Sequence, residues 1–193
     1  YVAGEDAGGA HGSNRLGGNG VANSTVYGGI AGDVMAADAQ KMGALHDPDE
    51  TILDQELARA IIPFSAKPGN VQELRVRLMD AMWDDVGVMR DAAGLKRGIE
   101  KIASLKSDME NVGVSGDNLA FNLSWHDWLS LQSLIDTSEV IAKAGLSREN
   151  SRGAHFREDF SDAGSLEDSY FTIATSGDKG IEVNLSLIHI SEP

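Results

Sequence analysis

Between Leu74 and Leu146 apolar side chains recur every three or four residues in three successive runs, and that spacing fixes the middle of this chain as helical. The first run sets Leu74, Leu78, Met82 and Val86 four apart, with Met79, Trp83 and Met89 widening the stripe. The second, Leu95, Ile99, Ile102, Leu105, Met109 and Val112, advances by 4, 3, 3, 4 and 3. The third gathers Trp125, Trp128, Leu129, Leu131, Leu134, Ile135 and Ile141 and closes near Leu146. Three amphipathic helices bury such stripes against one another as a bundle. Gly94 and the GVSGD stretch are the expected turns, and the tryptophans and methionines that keep the period are expected in its core.

The flanks follow other rules. YVAG at the start reads as strand, and the GEDAGGAHGSNRLGGNG that follows is too rich in glycine for a helix or a regular strand. From Val21 to Met42 small and apolar residues return to helical spacing, so the segment reads strand, glycine loop, helix. Gly28, Gly29 and Gly32 inside that helix each cost up to about 1 kcal/mol against alanine, which predicts close packing against a sheet or a cofactor, with a loose, frayed helix as the alternative. HDPDE starts a short helix that Pro63 and Pro68 stop, and SYFTIAT and GIEVN around SGDKG suit a hairpin. YVAG also reads as the interior of a longer protein, and LSLIHISEP, residues 185–193, resembles translated sequencing-adaptor sequence. The strand pattern of IEVNLSLIHI is the alternative.

Charge and composition exclude several functions. With 30 acidic against 16 basic residues the formal net charge is −14, which argues against nucleic acid or an anionic membrane as partner. An acidic ligand must then be caught by a few placed cations. No apolar run approaches the roughly 20 residues that cross a bilayer, so no direct membrane insertion is expected. There is no cysteine, and the five histidines show no metal-ligand spacing, so no metal is expected. The opening loop has neither a dinucleotide-binding nor a P-loop glycine pattern, and its spacing alone reads as a structural turn. Its physical capacity is wider: glycine amides approach a ligand closely, and the helix start behind them favours an anion.

Three motifs, in order, carry a resemblance. AGED…HGSNRLGGNG…YGGIAG, MWDDVGVMRDAAGL and SRENSRGAHFREDF together resemble the succinate dehydrogenase and fumarate reductase flavoprotein family, over nearly all of residues 1–184. The resemblance implies an α+β, mostly helical fold. Residues 1–45 would be the C-terminal part of a Rossmann-like FAD-binding domain, 46–69 a linker with a short helix, and 70–150 a three-helix bundle. Residues 151–184 would be a salt-bridged segment docking the bundle on the flavin domain and ending in a small hairpin. It implies FAD as cofactor and succinate–fumarate interconversion by hydride transfer, with Arg15 clamping a carboxylate of the dicarboxylate substrate. Glu5 would meet the ribityl chain, Gly20 and Val21 would offer backbone amides to the flavin ring, and Asn19 would join them in binding the cofactor. Gly20 stands where the family has serine, which keeps the amide and drops a hydroxyl. His11 would contact flavin or substrate, or serve only as a hydrogen-bonding residue of the loop.

The family's N-terminal fingerprint, capping domain, proton-relay arginine and flavin-linking histidine have no counterpart here, so the isolated chain is expected to be inactive. An iron–sulfur partner subunit of a membrane complex at the cytoplasmic face, or a soluble donor, would exchange electrons with the full-length protein. NGVANSTVYGG departs from the family's NSLLDLVVFGR, which leaves L-aspartate oxidase or a tricarballylate-type dehydrogenase open as alternatives. Outside this class, residues 70–150 alone would make an acidic helical interaction module.

Overall fold

A computed structural model of the chain describes residues 1–187 apart from 13, 45, 46, 166, 168, 178 and 179. It divides into two compact units, Tyr1–Glu50 and a second that begins at Thr51. In the first, a glycine-rich loop leads into helix α1, Asn19–Met42. The expected strand at YVAG does not form: residues 1–3 are irregular and no described strand pairs with them. An isolated strand leaves all its backbone N–H and C=O groups without a ladder partner, so the apolar run alone cannot hold that conformation. Helix α1 is itself exposed along most of its length, with only Asn23 buried. A Cβ added at Gly28, Gly29 or Gly32 would meet nothing within 4 Å, so the close packing those glycines predict is not made among the described residues.

The second unit opens with α2, Glu50–Ile61, and a 3-10 turn, Ile62–Ser65, which holds Pro63. The predicted HDPDE start falls partly on His46, outside the described residues. The bundle follows as α3 (Val71–Asp84), α4 (Ala92–Met109) and α5 (Leu123–Ser147), each packed on the other two. All three begin on an amide or carboxylate cap written in the sequence. Asn70 accepts from the Glu73 amide at 3.1 Å, Asp91 from Gly94 at 2.5 Å, and Asn122 from Trp125 at 3.0 Å. Gly94 is thus a first-turn residue of α4 rather than a turn between helices. The chain reverses instead over residues 85–91.

The core is the predicted one along one face of each helix: Leu74 and Leu78 from α3, Leu95, Ile102, Leu105 and Met109 from α4, Trp128, Leu131 and Ile135 from α5. Five expected members are not in it. Trp83 is 82% exposed, Met79 64% and Met89 66%. Met79 and Trp83 follow Leu74 by five and nine residues, about 140° and 180° round a helix, so burying Leu74 and Leu78 turns them outward. Leu134 and Ile141 on α5 are exposed for the same reason. Beyond the bundle, β1 (Met89–Arg90) pairs in parallel with β2 (Phe156–Arg157), and β3 (Tyr170–Gly177) pairs antiparallel with β4 (Gly180–Leu187). The hairpin is as expected. Its turn residues Asp178 and Lys179 lie outside the described residues, as do 188–193 of the adaptor-like stretch, whereas Leu185, Ser186 and Leu187 are paired in β4.

Candidate functional site

Chemistry gathers in the first unit, where the glycine loop meets the start of α1. Gly4 has φ 88°, and a Cβ there would stand 3.0 Å from Ser24 Oγ, so the loop begins in contact with the helix. Gly18, with φ 87°, ends it and turns the chain into α1. The Gly18 carbonyl then accepts from the amides of Val21 at 3.1 Å and Ala22 at 3.3 Å, while the Asn19 amide donates to Leu16 at 3.2 Å. The Gly20 N–H finds no acceptor among the described residues. It is left as a free donor at the positive end of a helix.

Glu5, His11, Arg15, Gly20, Val21, Ser24 and Thr25 line one groove of about 330 Å³. Five of the six residues singled out from the sequence therefore meet in one place. Asn19, the sixth, opens α1 on the exposed side and is not among the lining residues. Val21 lines the groove, but its amide is already engaged by Gly18, so Gly20 is the available backbone donor. The Arg15 guanidinium lies against Gly20: a Cβ at that position would be 3.1 Å from Nη2 and 3.3 Å from Nε. Arg15 makes no ion pair among the described residues. A guanidinium and an open amide side by side at a helix N-terminus make a site for a carboxylate or a carbonyl edge. His11 Nε2 lies 2.9 Å from the Asn23 side-chain amide. The sequence reading missed Asn23, and its polarity alone gave no signal, because Ser24, Thr25, Asp33 and Asp38 share the same helix.

The SRGAHFREDF run forms a different structure. Arg157 is 1% exposed, and its Nη1 donates to the carbonyls of Gly145, Leu146 and Arg148 at 2.9, 3.1 and 3.1 Å, closing the C-terminus of α5. Its other nitrogens hold Asp159 at 2.7 and 2.8 Å, and Asp159 accepts in turn from the Ala92 amide that opens α4. These hydrogen bonds to Arg157 set the Asp159 carboxyl down to about 2. His155 bridges Arg90, 3.0 Å from Nδ1, and the Arg148 carbonyl, 3.2 Å from Nε2. Burial, with three neighbouring arginines, pushes it below the ordinary histidine range. Among the described residues the hydrogen bonds of this run go to the bundle, to β1, to the loop that follows the run and to itself. They staple α4, α5 and β1 together. Nowhere among the described residues do three histidine or carboxylate side chains gather to hold a metal, and no described helix is long and apolar enough to cross a membrane.

Comparison with known proteins defines the class first. The chain overlies the Sdh1 complex of Mycobacterium smegmatis with a TM-score of 0.83 at 32% identity, covering 100% of this chain and 33% of that one. It is 34% identical over 162 residues to an uncharacterised FAD-dependent oxidoreductase of Methanocaldococcus jannaschii, and 33% identical to one chain of the CoM/CoB fumarate reductase of Methanothermobacter marburgensis. Each alignment covers 83% of this chain, but only 28% and 29% of the relative. The chain thus spans under a third of the length of these oxidoreductases. A family model described as the fumarate reductase flavoprotein C-terminal region matches residues 75–192, and the chain belongs to that family.

Proposed function

We propose that this chain is the C-terminal part of an FAD-dependent oxidoreductase that interconverts succinate and fumarate, and that Arg15 holds a carboxylate of the substrate. The observation that carries the reading is the convergence of Glu5, His11, Arg15 and the open Gly20 amide on one groove at the start of α1. The donor set fits one edge of a flavin: a free N–H for a ring carbonyl and a carboxylate for a hydroxyl. When bound, FAD supplies the hydride chemistry. The residues of this chain do the holding. The planar, permanently charged guanidinium of Arg15 grips a carboxylate through two parallel hydrogen bonds and so restricts the orientations the substrate samples. Gly20 donates its amide at the positive helix end, where negative charge on the cofactor edge is stabilised. Glu5 accepts from the ribityl chain.

Because the chain spans under a third of its relatives, the activity belongs to a protein of their length, and the isolated chain is inactive. The same reading gives that protein an iron–sulfur partner, through which it is held at the cytoplasmic face of a membrane. The test is the full-length protein and its Arg15→Ala and Arg15→Lys variants, assayed for flavin absorbance and for fumarate reduction by a reduced dye. Loss of a charge-assisted carboxylate clamp costs about 2–5 kcal/mol, so kcat/KM falls about thirtyfold or more in Arg15→Ala with flavin retained. Flavin binding without fumarate or succinate turnover in the parent moves the substrate to a sister dicarboxylate or amino-acid oxidoreductase. Absence of flavin refutes the reading.

A further inference from the structure

Helix α1 buries one residue, and that residue is polar. Asn23 is 7% exposed and its side-chain amide nitrogen lies 2.9 Å from His11 Nε2, with His11 on the wall of the groove. A buried amide is desolvated and is retained where it makes a specific hydrogen bond. This one joins the middle of the glycine loop, at position 11, to the rigid helix one turn beyond the open Gly20 amide. We infer that Asn23 is a positioning residue that locks the His11 ring by Nε2, so that His11 presents Nδ1–H as a neutral hydrogen-bond donor for the carboxylate or oxyanion that Arg15 binds.

The chemistry follows from the inventory of the two side chains. An amide nitrogen only donates, so the ring nitrogen facing it must carry a lone pair, and the single proton of a neutral imidazole then sits on Nδ1. With Nε2 occupied, Nδ1 is the only polar atom of the ring left for a ligand. The groove thereby acquires a third donor beside the Arg15 guanidinium and the Gly20 N–H, all three suited to an anion. No residue in it other than Glu5 carries negative charge. An aspartate at position 23 would reverse the arrangement: a carboxylate accepts, the ring proton moves to Nε2, and Nδ1 turns from donor to acceptor. This inference rests on the proposed function for the identity of the ligand, and on the His11–Asn23 contact alone for the tautomer.

The experiment has two arms that fail separately. In the first, the full-length protein is labelled with 15N-histidine, the His11 resonances are assigned with His11→Gln, and the ring nitrogen shifts of the neutral form are read. Wild type is expected to show Nδ1 protonated and Nε2 bare, the reverse of the form free histidine prefers. Asn23→Asp is expected to invert the two shifts, and Asn23→Ser to relax them toward free histidine. A His11 that carries its proton on Nε2 in wild type, or shifts that do not respond to either substitution, overturns the inference without reference to activity. The second arm uses the full-length flavoprotein. Asn23→Asp is expected to raise the KM for fumarate about tenfold with flavin content unchanged, and Asn23→Ser to raise it less. An unchanged KM beside an inverted tautomer removes His11 from the ligand and overturns the positioning role. A parent enzyme with no turnover of fumarate refutes the proposed function instead, and leaves the first arm to decide the tautomer.

Discussion

Replacing Arg157 with methionine keeps most of the side-chain volume and removes the guanidinium hydrogen bonds that close the C-terminus of α5. The two hydrogens of Nη1 are shared among the carbonyls of Gly145, Leu146 and Arg148. A hydrogen bond to a charged group contributes about 1.5–3 kcal/mol, so two of them amount to about 3–6 kcal/mol. Water readmitted at the helix end recovers part, leaving a loss of about 2–5 kcal/mol, a large share of a domain's total stability of about 5–15 kcal/mol. All three tryptophans, Trp83, Trp125 and Trp128, lie in the second unit, so their fluorescence in a urea titration follows that unit alone. With an m-value of about 2 kcal/mol/M the midpoint falls by about 2 M. Arg157→Lys keeps the charge but lacks the planar fork, and should recover less than half of the loss. A midpoint shift below about 0.5 M with m unchanged would refute the reasoning, because it would mean that those carbonyls find equivalent partners without the guanidinium.

Acid should destabilise the second unit in two windows. His155 is held below its ordinary range in the fold, so the unfolded chain takes up its proton first and stability falls as pH drops through about 6.5. Asp159, set to about 2, adds stability that is present above the unfolded value of about 3.9 and is lost between there and about 2. NMR titration of both groups checks each window, and Arg157→Met should return Asp159 to the normal carboxylate range. Gly113→Ala would drive a Cβ into the Ala66 carbonyl oxygen and to 2.7 Å from that of Pro63, both rigid backbone, and should cost about 1–3 kcal/mol or more in the same titration. The two tryptophans should separate cleanly: Trp83→Ala, 82% exposed, changes stability by less than about 0.5 kcal/mol, whereas Trp128→Ala, 3% exposed, costs about 3–5 kcal/mol.

Much of this was legible in order along the chain. Helix period, the Asx caps at Asn70, Asp91 and Asn122, and the glycine loop before α1 are local properties, set by sterics and by hydrogen bonds within a few residues, and sequence carries them directly. The groove was legible for a different reason: Arg15 and Gly20 are five residues apart across one turn, so naming the loop nearly names the site. Which face of α3 is buried is not local. Leu74 and Trp83 are equally apolar, and only the position of α4 and α5 decides that Leu74 goes in and Trp83 stays out. Three further features depend on residues distant in sequence: the Asn23 contact to His11, the parallel pairing of Arg90 with Arg157, and the closure of α5 by that same arginine. Sequence alone determined that this chain would form a glycine loop, a helix behind it and a three-helix bundle. The tertiary structure decided which side chains the bundle buries and which charges it pairs, because burial and pairing are set by neighbours that no periodicity encodes.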